Sequence, residues 1–188
     1  MTTEEIEALI RPGIPIGAAQ NSGAPVWADF GAGWGNFTLA LRRLLGNEAA
    51  IHAVDRDADA LQILHQRHQQ QYTASPLTLW PHDFTQPLHL PPFDGLVMAN
   101  ALHFVPTQRQ TEVLARLASY LKPTGRMIVV EYEMRWPRPW IPYPMTSDNL
   151  LTKINEAGFL KAELISTRQS PSGGAGMYSI MAQNPHSK

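Results

Sequence analysis

At 188 residues, 44% of them hydrophobic, with 15 basic and 16 acidic side chains and a formal net charge of -1, the chain has the composition of one globular domain with a full core. That balance gives no global pull toward nucleic acid or an anionic membrane, leaving only a local patch open, and the lack of Cys excludes disulfides, thiolate nucleophiles and Cys-ligated metals. No apolar run approaches membrane-spanning length, and the acidic start lacks the basic segment and apolar core of a signal peptide, so a soluble cytoplasmic protein with no membrane partner is expected.

The pattern of residues 3–10 predicts a short helix. Thr2 or Thr3 caps it, acids fill its first turn, and Ile6, Leu9 and Ile10 make one face. Pro12-Gly13 ends it, and residues 14–24 form a loop of small and polar residues. A first strand is predicted over 25–30 and a first helix over 36–45, closed by Gly46-Asn47. A second strand over 49–55 ends in an acid. The helix after it starts at Asp57 or Asp59 and runs to about His68, with Gln69-Gln70-Gln71 fraying its end. Residues 77–84 read as a third strand, in which Pro81 argues for a sheet edge or the strand's end. Residues 85–92 hold three prolines and no helical period, so a loop is expected where a doubly wound fold ordinarily has a helix.

A fourth strand over 93–100 and a helix over 106–121 follow, the helix faced by Val113, Leu114, Leu117 and Leu121. Lys122-Pro123-Thr124-Gly125 reads as a turn and 126–132 as a fifth strand, whose continuous apolar run suits a parallel sheet covered on both faces. Residues 133–146 are too rich in proline for helix. Ser147 caps a last helix to Ala157, which Gly158 stops. Strands over 160–167 and 177–182 then form an antiparallel hairpin around a mobile loop, 170–176. The class is therefore α/β: a Rossmann-like doubly wound sheet of seven strands, mostly parallel with a C-terminal antiparallel hairpin, in a single domain over 1–188.

The stretch that carries chemistry is Val26-Trp27-Ala28-Asp29-Phe30-Gly31-Ala32-Gly33-Trp34-Gly35. A strand, a glycine turn and a helix start make a cradle for a small polar ligand, because glycine lets a ligand approach the backbone and helix N-termini offer unpaired amides. Dinucleotide binding wants G-x-G-x-x-G, with a glycine at position 36. Here that position is Asn36, and the third glycine comes one residue early as Gly35. An acid at the end of the second strand, Asp55, can accept both hydroxyls of a ribose, but it serves either kind of nucleotide. Arg56 beside it lies along an adenine face or is a solvated surface residue.

With Asp29-x-Gly31-x-Gly33-x-Gly35 the chain resembles the class I S-adenosylmethionine-dependent methyltransferases, in the branch acting on small molecules. The resemblance implies S-adenosyl-L-methionine as cofactor. Its carboxylate would meet backbone amides around Gly31, Ala32 and Gly33, and its ammonium would be balanced by Asp29 directly or through water. Asp83 would bond the adenine amino group with Phe84 beside the ring, and Asn100, at the end of the fourth strand, would line the methionine end. His103 has two candidate roles: a base at the reacting groups, or a hydrogen-bonded anchor for its loop. Leu121-Lys122-Pro123-Thr124-Gly125 resembles the family's turn before strand five, and the likeness spans about residues 25–183.

Negative signs narrow the acceptor. After the fourth strand there is no N/D-P-P-Y/F, no Cys nucleophile and no metal-binding acid, so a metal-independent small-molecule enzyme is expected, with no nucleic-acid partner. Residues 131–143 follow the fifth strand. Glu131, Trp136, Trp140 and Tyr143 could form an apolar substrate pocket there, with Arg135 and Arg138 greeting an anion, and a rigid packed connection or a dimer surface is the other reading. Residues 1–24 could close over the cofactor as a lid, a habit of the family. Two other functions compete: an NAD(P)-dependent reductase, weakened by Asn36 and by the lack of a Tyr-x-x-x-Lys pair, and a non-catalytic S-adenosylmethionine-binding regulator, disfavoured by the presence of Asp29, Asp55 and Asp83.

Overall fold

The computed structural model describes residues 1–15, 23–170 and 174–184. The predicted loops over 14–24 and 170–176 therefore fall partly outside the described residues. Seven strands form one sheet: β1 (Val26–Phe30), β2 (Ala50–Val54), β3 (Leu77–Trp80), β4 (Phe93–Ala99), β5 (Leu121–Tyr132), β6 (Leu160–Arg168) and β7 (Met177–Gln183). Their order is β3-β2-β1-β4-β5-β7-β6. The pairs from β3 through β5 are parallel, and β7 is antiparallel to both β5 and β6. Strand order reverses between β1 and β4, so a crevice opens at the carboxyl ends of these strands.

Among the described residues five α-helices cover the sheet: α1 (Thr3–Ile10), α2 (Asn36–Leu45), α3 (Ala58–Gln71), α4 (Thr107–Ser119) and α5 (Ser147–Glu156). Strand alternation sorts the core into two halves. Trp27, Ile51, Val97, Ile128 and Val130 face α1 and α2, and Ala53 faces Leu61 and Leu64 of α3. Ala28, Phe30, Leu96, Met98, Met127 and Val129 face α4 and α5. Side chains such as Trp27 and Leu96 are fully buried, and truncating a buried side chain of this size to Ala costs about 2–5 kcal/mol.

Local chemistry sets the helix ends. Thr2 and Glu5 form a reciprocal capping box on α1, and the Asp57 carboxylate accepts the Asp59 and Ala60 amides at the start of α3. Several predicted boundaries shift, among them the helix predicted over 106–121, which ends at Ser119 and leaves Leu121 to β5. The α5 cap is Thr146, whose hydroxyl accepts the Asn149 amide, rather than Ser147. The Gln69-Gln70-Gln71 tract is helical, and Tyr72 N closes the last turn on His68 O. Strand β3 stops at Trp80, as Pro81 withholds a ladder donor. Lys122-Pro123-Thr124-Gly125 belongs to β5, where a register shift between Phe93 and Gly95 absorbs it.

No helix follows β3. Residues 85–92 instead cover that part of the sheet with Leu88 and Leu90, tied by Leu88 N to the Tyr120 hydroxyl and by Arg116 to the Thr85 carbonyl. Arg42 is fully buried in α2 and donates to the carbonyls of Gly46, Asn47, Ala49 and Pro76, closing the turn into β2. Helix α1 packs into the core, and the rest of the 1–24 segment expected to close over the cofactor lies partly outside the described residues. Ile6, Leu9 and Ile10 are buried in the core beneath α2, and Ser179 of β7 donates to Leu9 O.

Candidate functional site

The crevice is a cavity of about 510 Å³, lined by Gly31, Gly33, Asp55, Arg56, Asp57, Asp83, Phe84, Thr85, Asn100, Ala101, Phe104, Val105, Pro106 and Arg109. That volume suits a drug-sized ligand or cofactor. The fold thus brings together Gly31, Gly33, Asp55, Arg56, Asp83, Phe84 and Asn100 from four successive strand ends.

The glycine turn is folded tightly on its neighbours. Gly31 N and Ala32 N both donate to Val54 O, at 2.8 and 3.1 Å, and Gly33 N donates to Asp55 Oδ2 at 2.7 Å. These amides are therefore already engaged, which departs from the expectation that they would receive the cofactor's carboxylate. The glycines serve shape instead. Gly31 sits at φ 76°, and a Cβ there would overlap the Ala101 Cβ; Gly33 sits at φ 50° beside open space. Arg67 of α3 braces the turn, donating to Trp34 O and to Asn36 Oδ1.

Asp29 does not line the cavity. Alternation along β1 turns it under the start of α2, where its Oδ2 accepts the Thr38 hydroxyl at 2.6 Å. Helix α2 has Gly35 at its N-cap position and no side-chain cap, so Asp29 does from the strand what a capping side chain ordinarily does. Burial pushes its carboxyl up to about 7, against the Thr38 hydrogen bonds and with the Asp55 charge adding to the rise. Ala32 likewise packs inward, against Ala53, Leu61 and Leu64.

Asp55 is held from two sides, by Gly33 N and by Asp57 N at 2.9 Å. Each oxygen keeps a lone pair for a ligand hydroxyl. Asp83 Oδ1 accepts the Thr85 amide at 2.8 Å. Asn100 adopts φ 52°, and its Oδ1 is buried without a hydrogen-bond partner. A buried acceptor left open on a cavity wall is costly unless a ligand donor meets it.

His103 lies one turn beyond Asn100, but its ring points into the protein. It is 2% exposed, with Nδ1 at 2.6 Å from Glu131 Oε2, while its amide donates to Glu131 Oε1 and its carbonyl accepts the Tyr143 amide. This geometry gives the anchoring role rather than that of a base in the cavity. Glu131 is equally buried and serves the same anchor, not a substrate wall. Trp136 and Trp140 are 77% and 65% exposed and Tyr143 is exposed too. None of them lines the cavity, because residues 138–141 turn back on themselves and carry the rings outward.

Sequence reasoning missed Thr38, Arg67, Asp57, Phe104 and Arg109. Only Asp57, as the cap after β2, and Arg109, one turn past Pro106, had a readable signal. Residue pairing across the sheet supplied the rest.

The residues present fit S-adenosylmethionine in kind: a glycine at 31 where a Cβ would overlap Ala101, two carboxylates at Asp55 and Asp83, and a buried amide oxygen, Asn100 Oδ1, with no hydrogen-bond partner. Residues 28–125 match the methyltransferase-domain sequence family. No curated protein matches. Solved structures share the fold. Magnesium protoporphyrin IX methyltransferase from Synechocystis, with bound S-adenosylhomocysteine, superposes with a TM-score of 0.72 at 16% identity, over 97% of this chain and 82% of that one. A phosphoethanolamine N-methyltransferase from Haemonchus contortus gives 0.75 at 13% identity, over 97% and 52%. An arsenic(III) methyltransferase from Chlamydomonas reinhardtii gives 0.63 at 19%, over 92% and 66%. Neither the reductase nor the non-catalytic reading gains support from them. The chain belongs to the methyltransferase-domain family, enzymes that take their methyl group from S-adenosylmethionine.

Proposed function

We propose that this chain methylates a small-molecule acceptor at the carboxyl-end edge of its sheet. The observation that carries this reading is the convergence of Asp55, Asp83 and Asn100 on one cavity at the strand ends, with Asn100 Oδ1 buried and without a hydrogen-bond partner. When bound, the cofactor supplies a methyl group already activated by a sulfonium. The protein's work is then alignment and exclusion of water.

In this reading Asp55 receives the ribose hydroxyls, while Asp83 and Phe84 take the adenine. Asn100 Oδ1 accepts from the ammonium. Arg56 borders the adenine side of the cavity. Gly31 and Gly33 leave the room for close approach. No side chain is assigned as general base, since one is needed only for an acceptor that is protonated at working pH. His103 and Glu131 fix the loop that follows Asn100. The acceptor is a small molecule rather than nucleic acid, and no metal is invoked. Among the described residues no helix is long and apolar enough to cross a membrane.

The test is production of S-adenosylhomocysteine from S-adenosylmethionine in the presence of panels of phenols, amines, thiols and carboxylic acids. Acceptor-dependent product supports the proposal. Tight cofactor binding with no acceptor-dependent turnover across all panels would move the chain to the regulatory reading.

A further inference from the structure

Residues 133–146 leave the edge of the sheet that carries the cavity and form a hairpin with a buried base and a bare tip. At the base, Ile141 and Met145 are buried, the Glu133 carboxylate accepts the Ser147 amide, and Gln110 Nε2 donates to Tyr143 O. Tyr143 N is bound to His103 O. Above it, Arg138 and Ile141 exchange backbone hydrogen bonds at 3.0 and 2.9 Å and close a turn on Pro139-Trp140. Trp136 and Trp140 stand on this tip, and Phe104, 55% exposed, lies on the neighbouring loop. Prolines 137, 139, 142 and 144 fix the backbone, so the rings are displayed without further loss of chain freedom.

Charge completes the pattern. Arg135 and Arg138 are exposed, neither is in an ion pair among the described residues, and residues 134–146 contain no acid. A chain of net charge -1 thus carries a local cationic and aromatic tip, the local patch that its overall balance left open.

We propose that this hairpin is an interfacial anchor that docks the cavity edge onto a bilayer rich in anionic phospholipid. Tryptophan and tyrosine rings settle at headgroup depth, with an apolar body in the acyl boundary and a polar edge in water, and guanidinium groups pair with lipid phosphates. Trp136 and Trp140 stand 77% and 65% exposed, which suits insertion into a deformable surface better than a protein partner that would need a matching hollow. A second copy would set Arg against Arg. The docking goes beyond the proposed methyl transfer and does not depend on it. If both hold, the acceptor is an amphiphile drawn from the bilayer.

Sedimentation of the full chain with vesicles tests the proposal. Binding to phosphatidylglycerol-rich vesicles is expected, with at least tenfold weaker binding to pure phosphatidylcholine and steep loss in high salt. The Trp136→Ala/Trp140→Ala double variant and the Arg135→Gln/Arg138→Gln double variant should each bind at least tenfold more weakly. Both should keep wild-type S-adenosylhomocysteine affinity and melting temperature, which separates failure of docking from failure of the cofactor site. No sedimentation with anionic vesicles, undiminished binding by either variant, or release by a single-stranded oligonucleotide would overturn it.

Discussion

The cofactor cradle and the 133–146 hairpin sit on the same edge of one sheet and are built in opposite ways. In the cradle, backbone and short buried side chains do the work: Gly31, Gly33 and Ala32 bond to β2 and its following acid, and Asp29 secures α2 from beneath. In the hairpin the backbone is a stand, and the exposed rings and guanidiniums are what it presents. The cradle is therefore intolerant of added atoms, whereas the hairpin tip should tolerate truncation without loss of fold.

The largest expected contrast comes from Gly31→Ala. The new Cβ must overlap Ala101 while the residue holds a positive φ. Strain and overpacking of about 2–4 kcal/mol should lower the melting temperature and reduce S-adenosylhomocysteine affinity by roughly 100-fold in calorimetry. Glu131→Gln comes next. It keeps an acceptor for the His103 amide but removes the carboxylate from His103 Nδ1, and should cost about 1–3 kcal/mol in denaturant unfolding, with cofactor affinity changed less than fivefold.

A pH-dependent effect belongs to Asp29. Its folded-state pKa is raised from 3.8 to about 7 by burial, so the folded chain binds the proton more tightly than the unfolded one. The stability linked to it is full below pH ~4 and is lost as pH rises through ~7, at about 1.4 kcal/mol per pK unit. Asp29→Asn keeps an acceptor for Thr38 and should flatten unfolding free energy between these two pH values. An unchanged slope would place the titration elsewhere. Smallest of all, Trp140→Ala should shift stability by no more than ~0.5 kcal/mol and leave cofactor affinity unmoved.

The same difference explains what could be read from the residues alone. The strand ends, the glycine spacing and the acids at 55 and 83 follow from periodicity and chain order, since each marks where a strand gives way to a loop. Asp29 was legible as an acid but not as a capping group, because that depends on Thr38 arriving beneath it from the next helix. His103 and Glu131 are 28 residues apart, and nothing in either segment announces the other. The hairpin was read as a proline-stiffened aromatic segment. Whether its rings turned into the cavity or away from it was decided by the tight turn at residues 138–141, a matter of backbone direction that composition does not encode.

Calorimetric titration of the purified chain with S-adenosylhomocysteine tests whether the crevice at the strand ends is the cofactor site. One-to-one binding is expected, weakened at least tenfold by Asp55→Ala, whose carboxylate holds Gly33 N and is proposed to receive the ribose. Tight binding of NAD with none of S-adenosylhomocysteine would contradict it.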